Sequence, residues 1–384
     1  MNRKNIYRTT IFILTGLCCS PAFSQTVETI GGVTYVHNLT DRHTGEIDVG
    51  LEFIQEIGGT GAPGPEYSMS EIRDVVRDRA GNILVLDSGN SRIQKFDTGG
   101  NYLSTYGAPG QNPGELDSPL SLDINSADLL CIKELSKRTK LISDKGIEVK
   151  RIFSWKLADF ENIRFLNDES LIMVFSTIDT WKEWFITDYI EIPPLFSVVN
   201  LSGRTVDSFG TPYVKTEIQG ENERIIVFSG IAYDVDDYGY IYITEMYKNR
   251  IEKKNSYGTP ILVIDRSLEY ETEAWNEERK NGRVYFSNIV SRGIGVDQNG
   301  RIWVATYFRQ PEPLSFDEGE TRFALYRYGS VAQYAHFEIF SSEGILLGSI
   351  PLPADMLFWR IQGDRLYFIT PERNSVTEYK IVER

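Results

Sequence analysis

Side chains able to catalyse or to ligate are unevenly supplied in this chain. Only three histidines occur, His37, His43 and His336, too few and too scattered for a histidine-built zinc centre. There is no Gly-x-Ser-x-Gly elbow for an activated serine and no Gly-x-x-x-x-Gly-Lys loop to cradle phosphate. Carboxylates are abundant, at 54 Asp and Glu against 40 Lys and Arg. A set such as Asp74, Glu134 and Glu245 has the hard oxygen chemistry that calcium prefers, although nothing in its spacing demands a metal. Arg73, Asn162, Arg292 and Trp359 add donors, an amide and an indole of the kind that fix a polar ligand.

The elements that must carry these groups emerge from internal repetition. The clearest unit runs from Val75 to Gly100: a strand, a tight turn at Asp78-Arg79-Ala80-Gly81, an apolar strand Ile83-Leu84-Val85-Leu86, a polar corner Asp87-Ser88-Gly89-Asn90, a strand ending at Phe96, and a turn at Gly99-Gly100. Asp78, Gly81, Asn82, Asp87, Asn90, Arg92 and Phe96 together resemble the NHL repeat. That resemblance implies a β-propeller, with Asp87 and Arg92 tying adjacent strands rather than serving a site. Weaker copies follow. They carry Leu120–Asp123 with Leu129–Ile132, Ile163–Phe165 with Leu171–Val174, Ile231–Asp234 with Tyr240–Ile243, Gly293–Asp297 with Arg301–Val304, and Phe358–Ile361 with Arg365–Ile369.

Each unit supplies four strands, a to d, except the sixth, which stops after three. The missing strand is available at the other end, in Leu51–Gly58. The expected architecture is therefore an all-β, six-bladed β-propeller of four-stranded antiparallel blades, its ring closed by residues 51–58 pairing with residues 375–382. Residues 1–24 read as a signal peptide, with Arg3, Lys4 and Arg8 ahead of a short apolar run and small residues near Ala22. Residues 25–50 form an N-terminal extension, in which Gly32–His37 either adds a strand or lies across the surface, and residues 51–384 form the propeller. Cys18 and Cys19 allow a lipid-anchored form, but neither follows the Gly, Ala or Ser that a lipobox requires.

Antiparallel pairing puts the a–b and c–d turns on one face, and the b–c connections and inter-blade linkers on the other. The long excursions, residues 176–195, 210–228, 265–290 and 307–335, all fall in the second class. Excursions of this length in a compact fold usually work. They hold Trp181, Trp184, Tyr189, Phe308, Phe316, Tyr326 and Tyr328, aromatic anchors suited to holding a partner. Residues 265–290, rich in Glu, are expected to form a short surface helix. At the same rim the channel mouth would gather Arg73, Asp74, Glu134, Asn162, Glu245, Arg292 and Trp359.

Cys131 is the only cysteine beyond the leader, so no internal disulfide is available. The formal net charge of −14, about −17 without the leader, opposes nucleic acid and anionic surfaces. No segment of the mature chain is long and apolar enough to span a membrane as a helix. The chain is also similar to uncharacterised six-bladed propellers exported by Bacteroidota-like bacteria. That resemblance implies an exported, monomeric, cofactor-free module, periplasmic or extracellular, that holds a protein, peptide or glycan on its loop-bearing rim. Related propellers include lactonases with a metal at the channel and lyases with a His-built zinc site. The alternative expectation is accordingly a calcium-type lactonase or lyase working at the channel mouth, though Arg73 and Asp74 stand where the lactonase Glu would be sought.

Overall fold

Strands occupy nearly every segment of the computed structural model, which describes residues 25–38, 47–135, 138–153, 160–175, 177–181, 194–219, 222–228, 230–270, 272, 275–279, 282–286, 288–310, 332–355 and 358–384. Six sheets carry four antiparallel strands each in the order a to d. Blade one is Ile72–Arg77, Ile83–Asp87, Arg92–Phe96 and Tyr102–Tyr106, and blade two is Pro119–Ile124, Leu130–Glu134, Arg138–Ile142 and Glu148–Phe153. Blade three is Phe160–Asn167, Ser170–Phe175, Phe196–Asn200 and Thr205–Phe209, and blade four is Ile231–Val235, Ile241–Glu245, Arg250–Lys254 and Pro260–Arg266. Blade five is Ser291–Val296, Ile302–Tyr307, Ala335–Phe340 and Leu346–Pro351. Blade six takes Phe358–Gln362, Arg365–Ile369 and Ser375–Glu383 from the end of the chain and Val49–Gly58 from its start.

The a strands make an inner ring in which each touches the a strand of the next blade, and that of blade six touches blade one. The core is divided accordingly into layers between neighbouring blades. Trp303 and Phe337 of blade five meet Trp359 and Phe368 of blade six. Ile57, Ile369 and Val376 of blade six meet Val75, Ile83 and Val85 of blade one. A b strand has such a layer on both sides, which is why Ile83–Asp87 and Ile302–Tyr307 are buried at every residue and read as apolar runs rather than as alternation. The d strands cover a single layer and stay half exposed, as in Thr205–Phe209.

Short turns are set by side chains that mimic the backbone. Asp78, Asn125, Asp236 and Asp297 each accept the N–H four residues on, at 2.8 to 3.0 Å. The equivalents of Asp78 in units two, four and five are therefore Asn125, Asp236 and Asp297.

Val49–Gly58 pairs along its length with Ser375–Glu383, and Phe53 lies opposite Tyr379 with ring centroids 5.8 Å apart. Upstream, Gln25–Ile30 and Val33–Asn38 form a hairpin whose second strand runs parallel to Pro260–Arg266, widening blade four to six strands. Asn38 then reaches blade five, donating to Gly344 O at 3.2 Å and accepting from Leu346 N at 3.1 Å. Ile47 packs beside Gly348 of the same blade. Residues 25–58 thus lace three successive blades together.

Two excursions combine. Thr177–Trp181, from the b–c connection of blade three, pairs with Asn222–Phe228, which pairs with Tyr213–Gln219 in the linker to blade four. Within residues 265–290 the structure has a hairpin, Trp275–Arg279 with Gly282–Phe286, in place of the expected helix. The Val284-Tyr285-Phe286 run favours a strand over a helix. Among the described residues no helix is long and apolar enough to cross a membrane.

Deleting residues 25–38 is expected to leave a folded ring that melts a few degrees lower, because six-strand width is not needed for closure. Deleting residues 25–58 strips the last sheet of its outer strand and one inter-blade layer of Ile57. Calorimetry on that variant should show no cooperative transition; an unchanged melt would refute the dependence on closure.

Candidate functional site

Strand ends place the carboxylates. Asp87, at the end of strand b of blade one, accepts from Ser70 N at 2.8 Å and pairs with Arg92 at 2.7 Å, fastening the polar corner to the incoming linker. Glu134 holds the same post in blade two: it accepts from Asp117 N at 2.8 Å and pairs with Lys140 at 3.1 Å and Arg138 at 3.3 Å. Glu245 ends strand b of blade four and pairs with Lys248 at 2.7 Å. Glu134 therefore shares the bracket role of Asp87, while Glu245 pairs within its own corner.

Asp74 belongs to a different assembly, at the centre of the ring. Its two oxygens each lie 3.3 Å from a guanidinium, Oδ1 from Arg360 and Oδ2 from Arg164, and Oδ2 also accepts from Leu122 N at 3.1 Å. Arg360 pairs in addition with Asp123, which accepts from Phe165 N at 2.6 Å. All four side chains are more than nine-tenths buried. The fifth member, Asp234, accepts from Val296 N at 3.1 Å and makes no ion pair among the described residues. Three carboxylates thus face two guanidiniums, and the unpaired one adjusts: burial pushes Asp234 up to about 6, against the pull of Arg360 and Arg164. Burial likewise pushes the neighbouring Cys131 thiol well up, which makes it inert. Arg164 and Arg360, overlooked in the sequence, had a signal there: a lone arginine between apolar neighbours in an a strand.

Arg73, Asn162, Arg292 and Trp359 lie near the starts of a strands in blades one, three, five and six, on the rim with the excursions. Arg73 pairs with Glu71 at 2.5 Å. Trp359 is buried edge-on against Phe337, centroids 4.9 Å apart. Arg73 Nε, Asn162 Oδ1, Thr244 Oγ1 and Trp359 Nε1 are buried without a hydrogen-bond partner, which leaves unspent polar capacity at the mouth. Phe308 stacks on His336 at 5.4 Å and lies under Arg309. It borders a recess between blades four and five with Tyr270, Thr306 and Glu338. Arg266 at its floor is consumed by Thr306, Glu338 and Ser291 at 2.8 to 2.9 Å. Trp181 lies in the accessory sheet, while Trp184, Tyr189, Phe316, Tyr326 and Tyr328 lie outside the described residues. Among the described residues no three metal-ligating side chains converge. Asp74, Glu134 and Glu245 sit in separate assemblies, so they do not fit a shared calcium.

The NHL repeat pattern matches residues 69–96. Among solved structures, a member of the DUF4221 family from Bacteroides vulgatus ATCC 8482 is similar at 10% identity and a TM-score of 0.56, covering 88% of this chain and 99% of that one. A protein of Bacteroides fragilis NCTC 9343, named as one expected to be exported, is similar at 12% identity and a TM-score of 0.55, covering 89% and 98%. A streptogramin B lyase aligns at 11% identity over 83% of this chain and 81% of its own, with a TM-score of 0.46, too loose a likeness to bear on activity. No curated protein matches the sequence. Fold and repeat together define the class: this chain is an all-β, six-bladed β-propeller of the NHL-repeat type.

The lone carboxyl of the axial cluster sets a pH dependence. The folded chain keeps the Asp234 proton to about pH 6, whereas an unfolded Asp releases it near 3.8. Stability from this group is therefore complete below about pH 4, falls as pH rises, and levels off above about pH 6 with a loss of about 3 kcal/mol. Asp234→Asn should stabilise the fold at pH 7.5 by up to that amount and leave it unchanged at pH 3.5. Denaturant melts at the two pH values measure the difference, and equal effects at both would contradict the assignment.

Proposed function

We propose that this chain is an exported binding propeller that holds a protein, peptide or glycan on the rim bearing the long excursions. The observation that carries the reading is the joint sheet of Thr177–Trp181 with Asn222–Phe228 and Tyr213–Gln219. Two insertions separated by a whole stretch of blade three combine into one built surface, on the same rim as the Trp275–Phe286 hairpin and the residue 308–334 connection. Drift in unrelated loops does not produce paired strands. Partly buried aromatic and polar side chains at that rim, Phe308 and Tyr270 among them, suit recognition. The likeness to a protein expected to be exported and the leader-like residues 1–24 support export.

Catalysis at the channel mouth has less behind it. Asp74 is locked between two arginines and Glu134 between a lysine and an arginine, which leaves them acceptors with little capacity for a metal or a proton transfer.

The test replaces residues 311–331 with a short Gly-Ser linker and compares crosslinked capture from the native envelope with that of the unaltered chain and of Asn162→Ala. Loss of the captured partner in the linker variant alone is the expected outcome. Identical capture by all three would remove the rim from consideration. Bound calcium lost in Asp74→Ala or Glu245→Ala would favour the enzymatic alternative.

A further inference from the structure

The face opposite the excursions carries short turns, and in one blade these turns are unlike the rest. The residue before each turn's left-handed position is small or polar elsewhere, as in Ala80, Gly99, Ser202 and Asn299. Blade four has tyrosine there twice: Tyr238 precedes Gly239 at φ 77° in the a–b turn, and Tyr257 precedes Gly258 at φ 75° in the c–d turn. These rings are 88% and 76% exposed, more than any other large hydrophobic side chain among the described residues. Scattered exposed aromatics are ordinary. Two at equivalent posts of one blade, held on turns with no packing need for them, are not.

Blade four is also the one widened by the N-terminal hairpin. Its strand order, four blade strands followed by Val33–Asn38 and Gln25–Ile30, sets three hairpin tips in a row on this face. The third tip is Gly31-Gly32, around which an added Cβ would meet nothing within 4 Å. Each tip lies two strands from the next, about 10 Å given the spacing of paired strands. Behind the row, the Lys253 ammonium lies over the rings of Tyr240 and Tyr242, 4.5 and 4.9 Å from their centroids, which stiffens the sheet beneath.

We propose that this row is a platform for a neutral, extended β-linked polysaccharide, with alternate sugar rings stacked on Tyr238 and Tyr257. A β-linked chain advances by about one strand spacing per ring, so every second ring falls over a tip. The flat C–H face of a sugar suits an isolated aromatic ring, whereas a protein hot spot needs a surrounding seal against water that projecting turn tips do not provide. The formal net charge of −14 disfavours anionic polymers and anionic lipid surfaces. The proposal is independent of the loop-bearing rim, being on the other side of the disc.

Affinity electrophoresis through gels containing soluble β-linked glucan, xylan or mannan tests it. The unaltered chain should be retarded by at least one. Tyr238→Ala and Tyr257→Ala should each weaken retention about tenfold, as truncated binding tyrosines do. The double variant should run free, while Tyr238→Phe and Tyr257→Phe should behave as the parent. Replacing residues 311–331 should leave retention intact, which separates this site from the rim. A parent chain retarded by none of the three, a double variant retarded equally, or equal tyrosine-dependent binding to alginate or to phosphatidylcholine vesicles would overturn the proposal. Thermal melts of each variant confirm that the fold is unaltered.

Discussion

A ring of sheets holds only if its last member is whole, and here that member is assembled from both ends of the chain. Val49–Gly58 must find Ser375–Glu383 across more than three hundred residues. The inter-blade layer that includes Ile57, Val376 and Val75 exists only once that pairing is made. Contacts so distant in sequence pay their loop-closure entropy late, which makes folding of such topologies slow. The ring also cannot close before the final strand is synthesised. Val33–Asn38 on blade four and Ile47 beside blade five add contacts that hold the outer strand near its place.

The axial cluster imposes the second constraint. Asp74, Asp123, Arg164, Asp234 and Arg360 come from five of the six blades. Buried charge pairs contribute little net stability, but leaving one member unpaired is costly. Mis-registered inner strands would do just that, so the cluster discriminates between registers more than it strengthens the fold. It also fills the middle of the ring with buried charged side chains. The two faces, by contrast, hold side chains with unmet hydrogen-bonding capacity or bare aromatic surface.

Much of the architecture was legible because blades repeat one pattern: apolar b strands, Asx-led turns, and one strand too few at the end of the chain matched by one too many at its start. The site was less so. Asp123 and Asp234 stand two residues ahead of Asn125 and Asp236, which lead the turns, and nothing in the local pattern marks them as members of an axial cluster. Glu134 and Glu245 look available until their lysine and arginine partners, a few residues on, fold back across the corner. The run of glutamates before Trp275 reads as helical, whereas the strand preference lies in Val284-Tyr285-Phe286. The docking of Val33–Asn38 on blade four was beyond local reading, because its parallel partner lies more than two hundred residues away.

The described residues begin and end on opposite sides of the disc. Gln25 pairs with Asn38, and Asn38 with Arg266, at the level of the long excursions. Glu383 pairs with Val49, and Arg384 donates to Asp48 O, at the level of the short turns. Anything appended after Arg384 therefore projects from the side of the disc that carries the short turns. A label or immobilising tag placed there will shield that surface and leave its counterpart open, which gives the molecule a built-in polarity.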